Sequence, residues 1–178
     1  MHIIISYKGV KQVFEFRKLE KEDEAAFFDY YNEWPVPDEI VPSSTNFSRY
    51  DHFEQLLEGL DHRESGDDWV RNTTYFYFDN GRIVGAGNIR HHLNDALLET
   101  GGHIGYGVRP SARNKGYASA ILQHSLQYLE TLGVEKALLT CDDNNPASAN
   151  VIIKNGGIED ESFIQDDGMK VRRFWIHI

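Results

Sequence analysis

The chain has 178 residues, 40% of them apolar and 12% aromatic, which suits one globular domain over 1–178 with a substantial core. A formal net charge of −10 argues against nonspecific binding to DNA or RNA and favours a cationic or amine-bearing small partner. The single cysteine, Cys141, excludes an internal disulfide and argues against structural zinc, and the apolar runs are too short to span a bilayer. The start of the chain, Met1 to Ser6, lacks the basic region and small-residue cleavage site of a signal peptide, so a cytoplasmic location is expected.

In chain order, Gln12 to Leu19 alternates as a strand. Phe27, Tyr30, Tyr31 and Trp34 follow at helical spacing, and Pro35-Val36-Pro37 stops that helix. Tyr50, Phe53, Leu57 and Leu60 mark a second helix. Thr73 to Phe78 and Arg82 to His91 read as two strands joined at Asn80-Gly81. Asn94 to Thr100 reads as a loop or short turn, and Gly102 to Arg109 as a strand. A helix with Ala118, Ile121, Leu122, Ser125, Leu129 and Leu132 on one face ends at Gly133. Lys136 to Cys141 is an apolar, central strand. Asn145-Pro146 opens a last helix, with Asn as cap, and Gly156-Gly157 closes it. Two strands, 158–164 and 171–178, finish the chain. The order β-α-α-β-β-β-α-β-α-β-β predicts a mixed sheet covered by helices, with the unit from His103 to Cys141 a right-handed crossover.

The most informative stretch is the basic loop between strand and helix. Arg109, Arg113 and Lys115 place three cations there, in an otherwise acidic chain. Small residues at Gly116 and Ala118 would let an anion approach the unpaired amides of the helix start, so a phosphate or pyrophosphate is the natural guest.

These residues resemble the GNAT acetyltransferase superfamily. Its hallmark is a strand, an Arg/Gln-x-x-Gly-x-Gly/Ala loop and a helix, then a strand and a helix opened by Asn-x-x-Ser and closed near Gly. Here the two motifs are Arg113-Asn114-Lys115-Gly116-Tyr117-Ala118 and Asn145-Pro146-Ala147-Ser148, with Gly156 at the end. Gly101-Gly102-His103-Ile104-Gly105-Tyr106, Asn155-Gly156-Gly157 and Arg172 to Ile176 are similar to a subgroup of predicted bacterial acetyltransferases. The resemblance implies an α/β (α+β) fold: a mixed, mostly antiparallel sheet of six to seven strands, flanked by about four helices. A splayed V would lie between the fourth and fifth strands, 102–109 and 136–141. It also implies acetyl-CoA as cosubstrate, and no metal is expected. The pantetheine arm would lie in the V on backbone around Tyr106, Gly107 and Val108. The pyrophosphate would sit on the amides of Arg113, Asn114, Lys115, Gly116, Tyr117 and Ala118, while Asn145 and Ser148 line the channel. Gly105 and Gly107 are candidates for a bulge.

Acyl transfer to an amine needs a neutral amine, a donor for the oxyanion and a thiolate that can leave. By family position the donor is the backbone N–H of Val108. His103, at the start of the site strand, is the candidate base because imidazole titrates near neutrality; Glu99, His91 and His92 are the alternatives. Many family members carry a Tyr four residues after the Ser of Asn-x-x-Ser, as acid for the leaving thiolate; here that place is Ile152. The thiolate then leaves unassisted, or another group supplies the proton. Arg90, His91, Asn94 and Glu99 are the candidate acceptor-binding residues, with Arg90 suited to a carboxylate. The two N-terminal helices and the 35–44 connection would wall the acceptor cleft.

The expected function is N-acetylation of a primary amine on a small molecule, an amino acid or a protein. The alternative is a noncatalytic acyl-CoA-binding sensor on the same fold. An unrelated nucleotide-binding module has little support, because neither Gly-x-x-x-x-Gly-Lys-Ser/Thr nor Gly-x-Gly-x-x-Gly is present. No nucleic acid or membrane partner is expected, and a homodimer is compatible with the sequence.

Overall fold

The computed structural model describes residues 2–7, 10–36 and 39–178. Pro37, the last residue of the expected helix stop, and Asp38 lie outside the described residues. Five strands form one antiparallel sheet in sequence order: β1 (His2–Tyr7), β2 (Val10–Arg17), β3 (Asn72–Asp79), β4 (Arg82–Arg90) and β5 (Ile104–Val108). A second sheet has β8 (Lys170–His177) between β6 (Lys136–Asp142) and β7 (Ile158–Ile164). The single sheet expected from sequence is thus divided between β5 and β6. The sequence reading also missed β1, and it placed β2 two residues late.

The β3–β4 hairpin closes on Asn80 and Gly81, with φ of +49° and +79°. Two successive positive φ angles are what a tight hairpin requires, and Asn and Gly adopt them at least cost. The Asn80 side chain also accepts from Val13 N–H at 3.0 Å, pinning the turn to β2.

Helices cover both faces. On one face, α1 (Glu24–Tyr31) and α2 (Phe53–Ser65) bury Phe27, Tyr30, Phe53 and Leu56 against Phe76, Phe78, Ile83 and Ala86. On the other, α4 (Tyr117–Thr131) and α5 (Pro146–Lys154) bury Ile121, Leu122, Leu129 and Ile152 against Ile89, Ile104, Leu139 and Phe174. A short helix, α3 (Asp95–Glu99), occupies the expected loop; Asn94 caps it by accepting from Leu97 N–H. Residues 83–89 of β4 are all buried, so this strand is the shared floor of both layers. No helix among the described residues is long and apolar enough to cross a membrane.

Candidate active site

The two sheets meet at one point and part from there. His103 N–H donates to Leu138 O at 2.7 Å, and Leu138 N–H donates to His103 Nδ1 at 2.9 Å. Gly101 N–H donates to Thr140 Oγ1 at 2.9 Å. Gly102 stands at φ +57°, and any Cβ there would overlap the Leu138 carbonyl, so the close approach demands glycine. Beyond this root, β5 pairs with β4 alone.

That leaves a free backbone edge. Arg90 N–H donates to His103 O, and Arg109 N–H to Val84 O. Gly105 lies opposite Asn88, and Gly107 opposite Ala86. Alternation along an antiparallel strand sends the backbone groups of Gly105, Gly107 and Arg109 toward β4 and those of Tyr106 and Val108 into the gap facing β6. The Val108 carbonyl points there indeed, accepting from Arg113 Nε at 3.2 Å. The ladder runs from Ile104 to Val108 without a register shift, so Gly105 and Gly107 mark no bulge. Gly107 instead makes room for the Val41 carbonyl, which a Cβ would overlap. The Tyr106 side chain crosses the gap to α5, its Oη 3.3 Å from Ser148 Oγ, and burial pushes this phenol up to about 12.

The basic loop follows directly from the edge. Asn114 and Gly116 take φ of +61° and +86°, and Gly116 is the cap of α4. Left-handed residues interleaved this way turn successive amides inward, the geometry of an anion-binding concavity. A Cβ at Gly116 would meet no protein atom within 4 Å, so the space over this backbone is open. Arg113 and Lys115 are exposed. Tyr117 offers only its amide, because its Oη is turned away to donate to Asp79. Asn145 caps α5, accepting from Ser148 N–H at 3.0 Å.

Arg109 does not belong to this group of cations. It is 1% exposed and donates to the Asp29 carboxylate, the Asp29 and Ile83 carbonyls and Glu33. It braces α1 against the β4–β5 floor; its hydrogen bond holds the Asp29 carboxyl below the usual range, and hydrogen bonds from Ser111, then Arg109, outweigh burial to do the same for Glu33.

The candidate base is bound up in the fold. His103 is 5% exposed and its Nδ1 lone pair is taken by the Leu138 amide, so the neutral ring carries its proton on Nε2. Burial, the nearby Arg90 charge and His92 press its pKa down to about 4. Neither ring nitrogen is free to receive a proton from an amine, which makes His103 a structural residue. Ile152 is fully buried in the core.

The four candidate acceptor residues are not brought together. Arg90 lies on the α1–α2 face, its guanidinium beside Gly105 and Pro42. His91 turns to the α4 face, with Nε2 2.9 Å from Thr73 Oγ1, which in turn lies 3.2 Å from Tyr128 Oη. Asn94 is spent on capping α3, and Glu99 is exposed at its end. The one-residue step from Arg90, the last residue of β4, to His91 puts them on opposite faces.

Sequence reasoning missed the polar floor beside Arg90. Asn88 is 6% exposed and donates from Nδ2 to Asn72 Oδ1 at 2.7 Å and Thr74 Oγ1 at 3.0 Å; Thr74 Oγ1 lies 3.0 Å from Ser44 Oγ. Its signal was a lone Asn within the apolar run from Ile83 to Ile89. Ser44 comes from the α1–α2 connection, whose Val41–Pro42 segment lies across Gly107 and beside Gly105. Two surface cavities, about 420 and 440 Å³, lie around α2 and away from the gap.

A family model described as an acetyltransferase (GNAT) domain matches residues 14–158. No curated protein matches the sequence significantly. Among solved structures, a GNAT-family acetyltransferase from Streptococcus pneumoniae is 19% identical over 93% of this chain and 99% of its own, with a TM-score of 0.62. The dodecameric spermidine N-acetyltransferase of Vibrio cholerae is 19% identical over 92% of this chain and 93% of its own, at 0.61. The yncA protein of Salmonella typhimurium, solved with its cofactor acetyl-CoA, is 15% identical over 92% and 93%, also at 0.61. GNAT acetyltransferases use acetyl-CoA and act on amines, and the split sheet, free strand edge and glycine-capped helix described above are set in that fold. This chain belongs to the GNAT acetyltransferase family.

Proposed function

We propose that the protein is an acetyl-CoA-dependent N-acetyltransferase acting on a primary amine, with the cosubstrate in the gap between β5 and β6. The observation that carries this reading is the continuity of the free β5 edge with the amide-rich start of α4. An unpaired strand edge accepts an extended chain that has amides of its own, as a pantetheine arm has. Tyr106 and Val108 would bond that arm through their main chain, with Arg113 releasing the Val108 carbonyl. The amides from Asn114 to Ala118, helped by Arg113 and Lys115, would hold the pyrophosphate. Asn145 would line the channel while capping α5, and Ser148 through its contact with Tyr106.

Acetyl-CoA supplies an activated acyl group. The chain supplies backbone donors aimed at the acyl oxygen as negative charge builds there, with Val108 N–H the assigned donor. His103 is not the base in this reading; it fixes the root of the V. The acceptor loses its proton to solvent, so kcat/KM should climb with pH as the amine itself deprotonates. It should show no inflection from a group near 6.5. The thiolate leaves unassisted, because a thiol pKa of about 8.5 makes it a tolerable leaving group. The Tyr106 phenol, held near 12, is too weak an acid to be needed.

A noncatalytic acyl-CoA sensor is the competing reading, favoured by Ile152 at the usual acid position and by the locked His103. Thiol release from acetyl-CoA with a panel of amines separates the two. Amine-dependent turnover supports the enzyme; tight binding with no turnover across the panel supports the sensor. Stabilisation by ATP or NAD but not by acetyl-CoA would overturn both.

A further inference from the structure

Arg90 is a partly buried cation that no carboxylate among the described residues neutralises. Its Nη1 donates to the Gly101 and Gly102 carbonyls, at 2.8 and 3.0 Å. No carboxylate among the described residues pairs with it, and its Nε and Nη2 have no partner there. Burial alone lowers its pKa, with no anion opposing the shift. Two other arginines withdrawn from solvent meet carboxylates instead: Arg109 is ringed by Asp29 and Glu33, and Arg17 is paired with Asp23 and Glu15. The charge is mostly desolvated and meets no anion, while its open donors are not among the buried unpaired atoms, so a ligand carboxylate can reach and complete it.

The surroundings point in one direction. A Cβ built on Gly105 would lie 3.8 Å from Arg90 Nη2, 3.9 Å from Nη1 and 4.0 Å from Pro42 Cβ. The guanidinium therefore stands over the bare backbone of β5 at Gly105, on the face walled by the 39–46 connection. The free edge of Tyr106 is the next residue of the same strand. The two unclaimed donors, Nε and Nη2, form the side of the guanidinium that matches a carboxylate in a two-bond fork.

We propose that Arg90 is an anion-reading subsite of the acceptor pocket, and that the acceptor is a small amine carrying a carboxylate a few bonds from its nitrogen. The carboxylate lies on Arg90 and the amine reaches past Gly105 to the β5 edge. A polyamine would meet an unpaired cation at this place and be disfavoured. The inference rests on the N-acetyltransferase reading for its account of the amine, but the anion subsite itself does not need turnover.

The test uses the common amino acids, their matched carboxamides and spermidine as probes. Wild type, Arg90→Gln and Arg90→Lys are compared after their thermal stabilities are measured. Both replacements keep a donor for the Gly101 and Gly102 carbonyls. One readout is thiol release from acetyl-CoA; the other is calorimetric binding of the same probes to the protein saturated with CoA. At least one amino acid should show a KM tenfold or more below that of its carboxamide. Arg90→Gln should raise that KM by about 10- to 100-fold, the worth of charge-assisted hydrogen bonds. It should leave the carboxamide within about threefold and the KM for acetyl-CoA unchanged, and Arg90→Lys should recover part of the loss. Equal KM values for acid and amide, equal effects of Arg90→Gln on both, or a preference for spermidine would overturn the proposal. If no probe is acetylated, the enzyme reading fails by itself. Arg90-dependent binding of an amino acid then still upholds the subsite, and absence of such binding refutes it.

Discussion

Acidification should unzip the root of the V through His103, and the size of the effect follows from the structure. The folded state needs a neutral ring, because Nδ1 must accept the Leu138 amide. Its pKa falls from the ordinary 6.5 to about 4. Between those values the unfolded chain binds a proton that the folded chain refuses. The stabilisation is therefore fully present above pH 6.5 and is lost as the pH falls toward 4. The drop corresponds to about 3 kcal/mol in all, of which about 2 should be gone by pH 4.5. His103→Asn is the informative variant. Its Oδ1 stands as many bonds from the backbone as Nδ1 does and accepts a hydrogen bond, but it does not titrate. Urea unfolding of both proteins at about pH 7 and 4.5 gives the difference free of other groups. The wild type should lose about 2 kcal/mol more than the variant. A difference below about 0.5 kcal/mol, or an NMR titration of His103 near 6.5, would refute the reasoning.

Three further outcomes are expected. Gly116→Val puts a branched side chain at φ +86° and into the open space over the amides; it should weaken acetyl-CoA binding at least tenfold by calorimetry, about 1.4 kcal/mol, while the protein stays folded. Arg109→Met removes a buried guanidinium and strands the Ile83 and Asp29 carbonyls. It should cost about 2–4 kcal/mol in urea unfolding, without any larger effect on acetyl-CoA affinity than a general loss of stability explains. Tyr106→Phe deletes only the hydroxyl near Ser148; kcat should stay within about threefold of wild type, whereas an essential acid would cost on the order of 100-fold.

The elements that carry strong periodicity were legible from the sequence alone. The helix after the basic loop, the Asn80–Gly81 hairpin and the Asn145 cap each rest on local chemistry, and the structure holds them where the spacing put them. Long-range pairing was less visible. Nothing local in Lys136 to Cys141 tells that, among the described residues, its strand is hydrogen-bonded to the first sheet only through Gly101 and His103, just before β5, since that depends on how α4 carries the chain across. The same limit misassigned His103 and Arg109. A histidine at a strand start and an arginine in a basic loop look available in sequence. Their burial is decided by Leu138, Asp29 and Glu33, which lie 35, 80 and 76 positions away. Arg90 and His91 show the cost of unknown register: neighbours in sequence, they point to opposite faces. Asn88 was there to be found, because a polar residue inside an apolar strand needs partners.

Amide hydrogen exchange along β5 tests the central claim most directly. Alternate residues of this short strand differ: Gly105 and Gly107 pair with β4, while Tyr106 and Val108 face the gap. Without ligand, the amides of Tyr106 and Val108 should exchange much faster than those of Gly105 and Gly107. Saturating acetyl-CoA should protect Tyr106, Val108 and the amides from Asn114 to Ala118, and leave Gly105 and Gly107 little changed. Exchange that slows uniformly along the strand, or not at all, under saturating acetyl-CoA would contradict the placement of the cosubstrate on this edge.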